Sequence, residues 1–350
     1  MKKILFLGIL EGEKNKNGGY LTAAFSFLNS LKELKKENYI EDLVILDLNQ
    51  IYSLNENEIY DLGIIFINPN SLLNKNFFNI LKYKFKNVKK VYLNILWETI
   101  FLPKKWEVIL KDDFISGFIV SSHFLFSLVK YHTNKPIYYI PYFFEEENFS
   151  LVDLNSKQNE EKFTVLFVGQ NTERKGLKEC ILSFILAFYD NPNAQLLIKS
   201  FNLNSQEEDI ENLIKKLIIL NSSNTLIQSK IFLIEEELSF EQMKQIYNFS
   251  SCLCFPSKGE GFGLPIAEAM LSGLPVIYTY NTASIEVGRS NINIPIECFF
   301  DLSSNMAIYG YEKGTFIFDF KLKDLVYGLK KLYNLWEKNK KEYYLNSSKN

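Results

Sequence analysis

Short apolar runs alternate with longer stretches of helical spacing along most of the chain. Lys3–Ile9, Leu43–Asp47, Leu62–Ile67, Val91–Leu96 and Ile115–Val120 read as strands, while Tyr20–Lys36 and Phe124–Tyr131 carry apolar residues at helical intervals. This strand–helix–strand rhythm implies a parallel sheet covered on both faces. It breaks from about Phe149 to Lys162, where Asp153–Lys162 is polar and acidic and reads as a linker. A second series runs through Phe163–Val168, Gln195–Lys199, Lys230–Ile234, Cys252–Phe255 and Pro275–Tyr278, and a long lysine-rich helix follows over about Leu322–Tyr344. The pattern predicts two doubly wound α/β domains, residues 1–150 and 160–334, with a C-terminal helical segment 335–350 expected to pack back on the first. Ligands of open α/β sheets sit beyond the carboxyl ends of the strands. Two such domains facing each other would enclose a cleft, so the loops after the strands are where chemistry is sought.

Composition narrows the classes. A chain of 350 residues is long enough for two full cores, and a net charge of −2 gives no basic field for nucleic acid. The start, Met1–Leu10, has a short apolar run followed at once by Glu11-Gly12-Glu13-Lys14, with no small-x-small cleavage site. It reads as a first buried strand rather than a signal peptide. No run of about 18 apolar residues suggests a membrane span. Cys180, Cys252, Cys254 and Cys298 have neither metal-ligand spacing nor a disulfide framework, which fits a reducing cytoplasm. Lys82, Lys84, Lys86, Lys89 and Lys90, interleaved with Tyr83 and Phe85, form a basic run. Its bland reading is a solvated face, and the alternative is peripheral contact with the inner, anionic face of a membrane.

The densest chemical signal is Phe255–Met270. A strand ends at Phe255, then Gly261 and Gly263 allow close backbone approach, and Pro265 suits a first helical turn. The free amides of such a helix start, aided by its dipole, suit a diphosphate. Glu268, expected in the first turn, and Glu260, just before the loop, are each able to accept two hydrogen bonds from a vicinal diol. The competing reading is an acidic helix start with tight turns. A second candidate, Phe167–Gly176, also follows a strand. Its Arg174-Lys175 pair would be unfavourable at a helix start unless an anion is bound, and otherwise reads as a solvated turn.

Glu260 and Glu268, with seven residues between them in the setting Glu-Gly-Phe-Gly-Leu-Pro-Ile-Ala-Glu-Ala-Met, resemble the E-x7-E signature of glycosyltransferase family 4. Leu271–Ile277 and Glu286 extend the resemblance. It implies the GT-B fold, two Rossmann-like domains facing a cleft. It also implies a retaining enzyme that moves a sugar from a nucleotide-diphosphate donor to a glycan, lipid-linked or protein acceptor. By resemblance, Glu260 contacts the donor sugar and Glu268 holds the ribose. The backbone of Gly261, Phe262, Gly263 and Leu264 holds phosphate. Gly169 and Lys175 match a phosphate-gripping loop, in which the usual arginine position is Gln170 here, and Arg174 is the nearest cation in sequence able to replace it.

In the first domain, Asn17-Gly18-Gly19-Tyr20 is similar to the family's Gly-Gly loop before a helix, which by resemblance makes Gly18 and Gly19 donor-binding, their backbone near the reacting sugar and phosphate; a plain turn is the competing reading. Trp97-Glu98-Thr99, with Leu102-Pro103, Trp106 and Ser121-Ser122-His123-Phe124, resembles a subset of the family and puts Glu98 in the acceptor-facing position. The other reading of Glu98 is a satisfied buried carboxylate. His123 and His132 are the two histidines in the sequence, and His123 follows serines suited to N-capping. The expected catalytic set is therefore Glu260, Lys175, Arg174 and Glu98, with no cofactor and no metal, since no Asp-x-Asp motif occurs. By resemblance, the acceptor attacks on the face from which the diphosphate leaves, and a phosphate oxygen takes its proton. A nucleotide-sugar epimerase and a non-catalytic partner subunit that binds nucleotide or glycan are the alternatives on the same fold.

Overall fold

The computed structural model describes residues 2–10, 14–55, 57–144, 157, 159–202, 208–221, 225–302, 311–312 and 315–348. The expected linker lies largely outside them. The chain divides into two compact units, Met1–Phe144 and Glu145–Asn350. Among the described residues no helix is long and apolar enough to cross a membrane.

The first unit runs β1 (Lys2–Gly8), α1 (Lys14–Lys36), β2 (Ile40–Asp47), β3 (Leu62–Phe66), α2 (Lys75–Lys84), β4 (Val91–Ile95), α3 (Glu107–Leu110), β5 (Gly117–Val120), α4 (His123–His132) and β6 (Ile137–Tyr139). The strands pair in parallel in the order β2-β1-β3-β4-β5-β6. One strand expectation needed extension, since β6 was hidden in a short, mostly exposed segment. The helix expected from Tyr20 begins at Lys14, so Gly18 and Gly19 lie inside α1 rather than in a loop before it. Lengthening a helix that is already nucleated is far easier than starting one, which offsets the cost of two glycines. Ser122 caps α4 by accepting a hydrogen bond from Leu125 N at 3.2 Å, and the neighbouring His123 stacks on Tyr139 at 4.2 Å between ring centres.

The second unit contains β7 (Phe163–Val168), α5 (Leu177–Phe188), β8 (Ala194–Lys199), α6 (Ile210–Asn221), β9 (Ile231–Ile234), α7 (Phe240–Phe249), β10 (Cys252–Phe255), α8 (Leu264–Leu271), β11 (Val276–Thr279), α9 (Ser284–Val287) and β12 (Ile294–Ile296). The parallel order is β12-β11-β10-β7-β8-β9. The chain thus winds outward in opposite directions from β7 and β10, and the carboxyl ends of these two strands mark the switch point where ligands of such sheets bind. Phe163, Phe188, Tyr333 and Trp336 form an aromatic cluster on one face. Cys180, Cys252 and Cys254 are free thiols buried in the core, and Cys298 is partly exposed.

After β12 the chain forms an antiparallel hairpin, β13 (Cys298–Leu302) and β14 (Phe316–Phe320), which the sequence pattern did not reveal. The expected single last helix is two: α10 (Leu322–Lys338) and α11 (Lys340–Ser347). Asn339 is extended, with φ −161° and ψ 92°, and its side chain accepts from Glu342 N, a capping arrangement written in Asn-x-x-Glu. The expectation that residues 335–350 return to the first unit is corrected. They belong to the second, where Tyr343 donates to Ser251 O at 2.9 Å and Tyr344 to Glu160 Oε2 at 2.5 Å. Glu160 also receives Trp336 Nε1 at 3.4 Å and pairs with buried Lys157, whose ammonium reaches Ser250 O at 2.7 Å. This knot sits at the amino ends of β7 and β10, away from the switch point.

Tyr344→Phe is expected to lower stability by about 1.5–3 kcal/mol, because a charged acceptor loses its donor. A shift in urea midpoint at unchanged slope would show it, and an unchanged midpoint would mean that the knot does not hold α11.

Candidate functional site

The site is built from the two loops at the switch point. After β7, Gly169 N bonds Lys199 O at 3.1 Å, and Thr172 caps a single turn over Glu173–Lys175. Gly176 follows with φ 72°, and a Cβ there would meet Pro256 O at 2.4 Å. Only glycine permits both the left-handed backbone and this approach. The contact brings in the loop after β10, where Lys258 N donates to Arg174 O at 2.6 Å and Ser257 Oγ to the same oxygen at 3.3 Å. Backbone thus clasps backbone before any charged side chain is placed.

Glu260 lies at the centre and is 6% exposed. Its Oε1 receives Lys175 Nζ at 2.6 Å, Arg174 Nη1 at 3.1 Å and Ser257 Oγ at 2.6 Å, while Arg174 also reaches Gly259 O at 2.8 Å. Adjacent side chains on a regular helix diverge by about 100°. In the short turn before Gly176, both converge on one oxygen. Burial pushes the Glu260 carboxyl up, but Lys175, then Arg174, then the hydrogen bonds from Lys175 and Ser257 outweigh it and hold the group below the usual carboxylate range.

Residues that sequence reasoning missed complete the grip. Glu260 N donates to Thr282 Oγ1 at 2.8 Å, Ala283 N donates to Glu260 O at 3.2 Å, and Asn281 Nδ2 holds Ser257 O at 2.8 Å. Thr282 has φ 41°, a strained value for a β-branched residue, in a loop that serves this grip. Lys258 is 5% exposed and bridges Glu179 of α5 at 2.8 Å and Asp319 of β14 at 3.4 Å, while its carbonyl accepts from Phe318 N at 3.0 Å. Burial pulls the Lys258 ammonium down, but Glu179 and Asp319 overcome this and raise it. The Asn281-Thr282 pair after a strand was the one local cue available; Lys258 gave none.

Beyond Glu260, Gly261 and Phe262 lead to Gly263, whose φ of 101° starts α8; it has no side chain to cap the helix, and its carbonyl accepts from Ile266 N at 3.0 Å. Leu264 and Pro265 open the helix. Glu268 is the fifth helical residue, so it lies in the second turn rather than the first. The helix starts at Leu264 because Gly263 turns the chain there. Glu268 Oε2 accepts from Tyr247 OH at 2.6 Å, and burial raises its carboxyl despite that bond. Gln170 lies half-buried beside Gly169 in the same loop.

Glu98, Gly18 and Gly19 belong to the first unit. Gly19 is exposed with open space at its Cβ position. Tyr20 OH ties this end of α1 to Leu96 O at 3.1 Å, and Glu98, half-buried, follows two residues later. Trp97 stacks edge-on against Trp106 at 4.9 Å between ring centres and donates to Thr99 Oγ1 and Phe101 O, so this motif builds the loop that carries Glu98. In the basic run, Lys82 pairs with Asp112 at 2.6 Å, Lys89 with Asp61 at 2.7 Å, and Lys84 bonds Leu54 O at 3.2 Å.

Residues 153–293 match the family "Glycosyl transferases group 1". The chain is 31% identical over 112 residues to a serotype-specific mannosyltransferase, WbdA of Escherichia coli; the match covers 32% of this chain and 13% of WbdA's length. Among solved structures, HepE of Anabaena in complex with UDP and glucose superposes with a TM-score of 0.66 at 14% identity, covering 99% of this chain and 94% of that one. The lipopolysaccharide outer core galactosyltransferase WaaB gives 0.62 at 15% identity with the same coverages. The pneumococcal O-GlcNAc transferase GtfA, with UDP and GlcNAc, gives 0.58 at 17% identity over 85% of this chain and 54% of GtfA. These likenesses show the fold: two Rossmann-like parallel-sheet units of GT-B architecture.

The two glutamates should respond oppositely to neutralisation. Glu260 has a depressed value, so its ionised form stabilises the fold above the ordinary carboxylate range, and this is lost as pH falls through the depressed value. Glu260→Gln is expected to cost about 3–5 kcal/mol at pH 7, shrinking in acid, because two partly buried cations lose the buried charge they share. Glu268 has a raised value, so its ionisation at neutral pH opposes folding. Glu268→Gln should be at least as stable as the parent at pH 7. Denaturant titrations of both variants at pH 7 and pH 4 read this directly, and equal losses in both would contradict it.

Proposed function

We propose that this chain is a retaining glycosyltransferase of family 4 that transfers a sugar from a nucleotide-diphosphate donor, with its donor site at the β7–β10 switch point. The observation that carries this is the convergence of Arg174 and Lys175 on buried Glu260, beside the glycine-led start of α8. Two cations beside the start of α8 form a place where the charge growing on a departing diphosphate is stabilised, in a water-poor setting that strengthens each interaction. In this reading Gly169, Gln170 and the backbone of Gly261–Leu264 line the phosphates, Glu260 orients the donor sugar, and Glu268 accepts from the ribose hydroxyls. In the same reading Gly18 and Gly19 serve donor binding, near the reacting sugar and phosphate, and Glu98 faces the acceptor. The acceptor attacks from the face that the diphosphate leaves, and a phosphate oxygen takes its proton. The chemistry needs neither metal nor cofactor, because the cations come from the chain.

The match to the group 1 family over residues 153–293 supports this reading, and so do the sugar transferases that share the fold. Their names make UDP-linked hexoses, and a nucleotide-diphosphate mannose after WbdA, the first donors to test. The acceptor is a glycan, a lipid-linked sugar or a protein. The site belongs in the cytoplasm; membrane contact through Lys82–Lys90 would rest on Lys90 and on Lys86, whose ammonium lies 4.7 Å from the centre of the Tyr83 ring, since the other three lysines of the run are held by ion pairs or a hydrogen bond in the first unit. A second reading, a non-catalytic partner subunit, is favoured by one feature, the uncharged Gln170.

Release of nucleotide diphosphate from a panel of donors separates the two readings. Glu268→Ala is expected to weaken nucleotide-diphosphate binding by about 1.5–3 kcal/mol. Glu260→Ala should spare that binding and abolish sugar transfer, so equal binding losses would show the roles wrongly divided. Arg174→Ala should cut turnover strongly, and adding Gln170→Arg should restore part of it. Full activity in Arg174→Ala would move the cation elsewhere.

A further inference from the structure

The carboxyl end of β8 holds a cation with no role so far. Lys199 is 8% exposed and pairs in register with Val168, the last residue of β7. Beyond this pair the two chains stay zipped: Gly169 N bonds Lys199 O, Asn171 N bonds Phe201 O at 3.0 Å, and Asn171 Nδ2 bonds Asn202 Oδ1 at 2.9 Å. Residues 199–202 therefore run alongside the loop that opens the donor site. The Lys199 ammonium lies 5.4 Å from the centre of the Phe201 ring. Among the described residues it has no carboxylate within ion-pair distance and no hydrogen-bond acceptor; Glu236, Glu235 and Glu237 after β9 act on it only from farther away. The next residue, Ser200, is fully buried and its Oγ has no partner among the described residues. A buried ammonium without an anion is costly, so a bound anion would complete this corner.

The topology says which part of the donor it meets. Phe163 packs against Phe188, Tyr333 and Trp336, which places α5 and α10 on the face of the odd-numbered β7 residues. Thr164, Leu166 and Val168 alternate onto the other face, where Gln195 Nε2 bonds Thr164 Oγ1 at 2.8 Å. Lys199, in register with Val168, shares it. The β10–α8–β11 crossover runs in the opposite direction from β7–α5–β8, and right-handed crossovers then put α8 on that same second face. Lys199 and Glu268 accordingly share one face of the sheet, while Arg174 and Lys175 lead into α5 on the other.

We propose that Lys199 is a third cation of the donor site, the counter-ion of the phosphate next to the ribose, so that Arg174 and Lys175 are left to the phosphate next to the sugar. This rests on the donor-site reading above. Beside the replacement of Gln170's missing charge by Arg174, it adds a further cation from β8.

The test compares Lys199→Met, Lys199→Gln and Lys199→Arg with the parent, using uridine, UMP and UDP and their guanosine counterparts as probes. Both neutral variants should bind the monophosphate and diphosphate about tenfold or more weakly while binding the bare nucleoside normally, and Lys199→Arg should retain most phosphate affinity. Ligand-free Lys199→Met should melt no lower than the parent, because an unpaired buried charge has been removed; a purely structural lysine would give the reverse pattern. Unchanged phosphate affinity in both neutral variants, with Glu268→Ala weakened, would overturn the role of Lys199 alone. Unchanged affinity in Glu268→Ala as well would overturn the donor-site reading beneath it.

Discussion

The approach of Gly176 to the carbonyl of Pro256 is the constraint from which the second unit's chemistry follows. A side chain at residue 176 would push the two switch-point loops apart. Without it, the backbone bond from Lys258 N to Arg174 O closes, and two adjacent cations are brought to one carboxylate oxygen. Arg174 and Lys175 would repel each other in so short a turn. Glu260 makes their proximity tolerable, and in return they make its burial tolerable. The interactions are therefore strongly interdependent, and no single pair energy describes them.

The same few residues leave two carboxylates eight positions apart in opposite states. Glu260 is held below its ordinary range by cations, and Glu268, with one tyrosine donor, is held above it by burial. Environments that push paired titratable groups apart are a signature of assigned roles in acid, base and binding chemistry. Support comes from three directions: α5 through Glu179, β14 through Asp319 and the Phe318 amide, and the segment after β11 through Thr282 and Ala283. A loop braced in this way keeps its geometry without help from a ligand, the condition under which preorganised charges act most strongly.

Much of this was legible in the sequence. β7 and β10 lie at the predicted residues because uninterrupted apolar runs bounded by polar punctuation have no other economical reading. Arg174, Lys175 and Glu260 were visible as charges next to glycines at strand ends. What was hidden depended on long-range partners. Lys258 is an ordinary exposed-type residue until Asp319, 61 positions later, is placed beside it by a hairpin whose strands, Cys298–Leu302 and Phe316–Phe320, lack clean alternation. Lys199 looked like the polar end of a buried strand. The start of α1 depended on cooperative extension through glycines, which local propensity argues against, and the turn holding Glu268 depended on where Gly263 becomes left-handed. The break at Asn339 was written locally, but a long amphipathic run masked it.

The placement of the thiols has a practical corollary. Three of the four cysteines are sealed in the core, where they are chemically silent while the unit stays folded. Cys298 stands at the root of the hairpin. Its Sγ accepts from Asn281 Nδ2 at 3.7 Å and donates to Ile296 O at 3.4 Å, and burial lifts its pKa to about 11. Asn281 in turn holds the carbonyl of Ser257 beside Glu260. A thiol reagent offered to the native protein therefore finds one slow target, and its rate clocks how often the hairpin root lets go of the segment that braces the site.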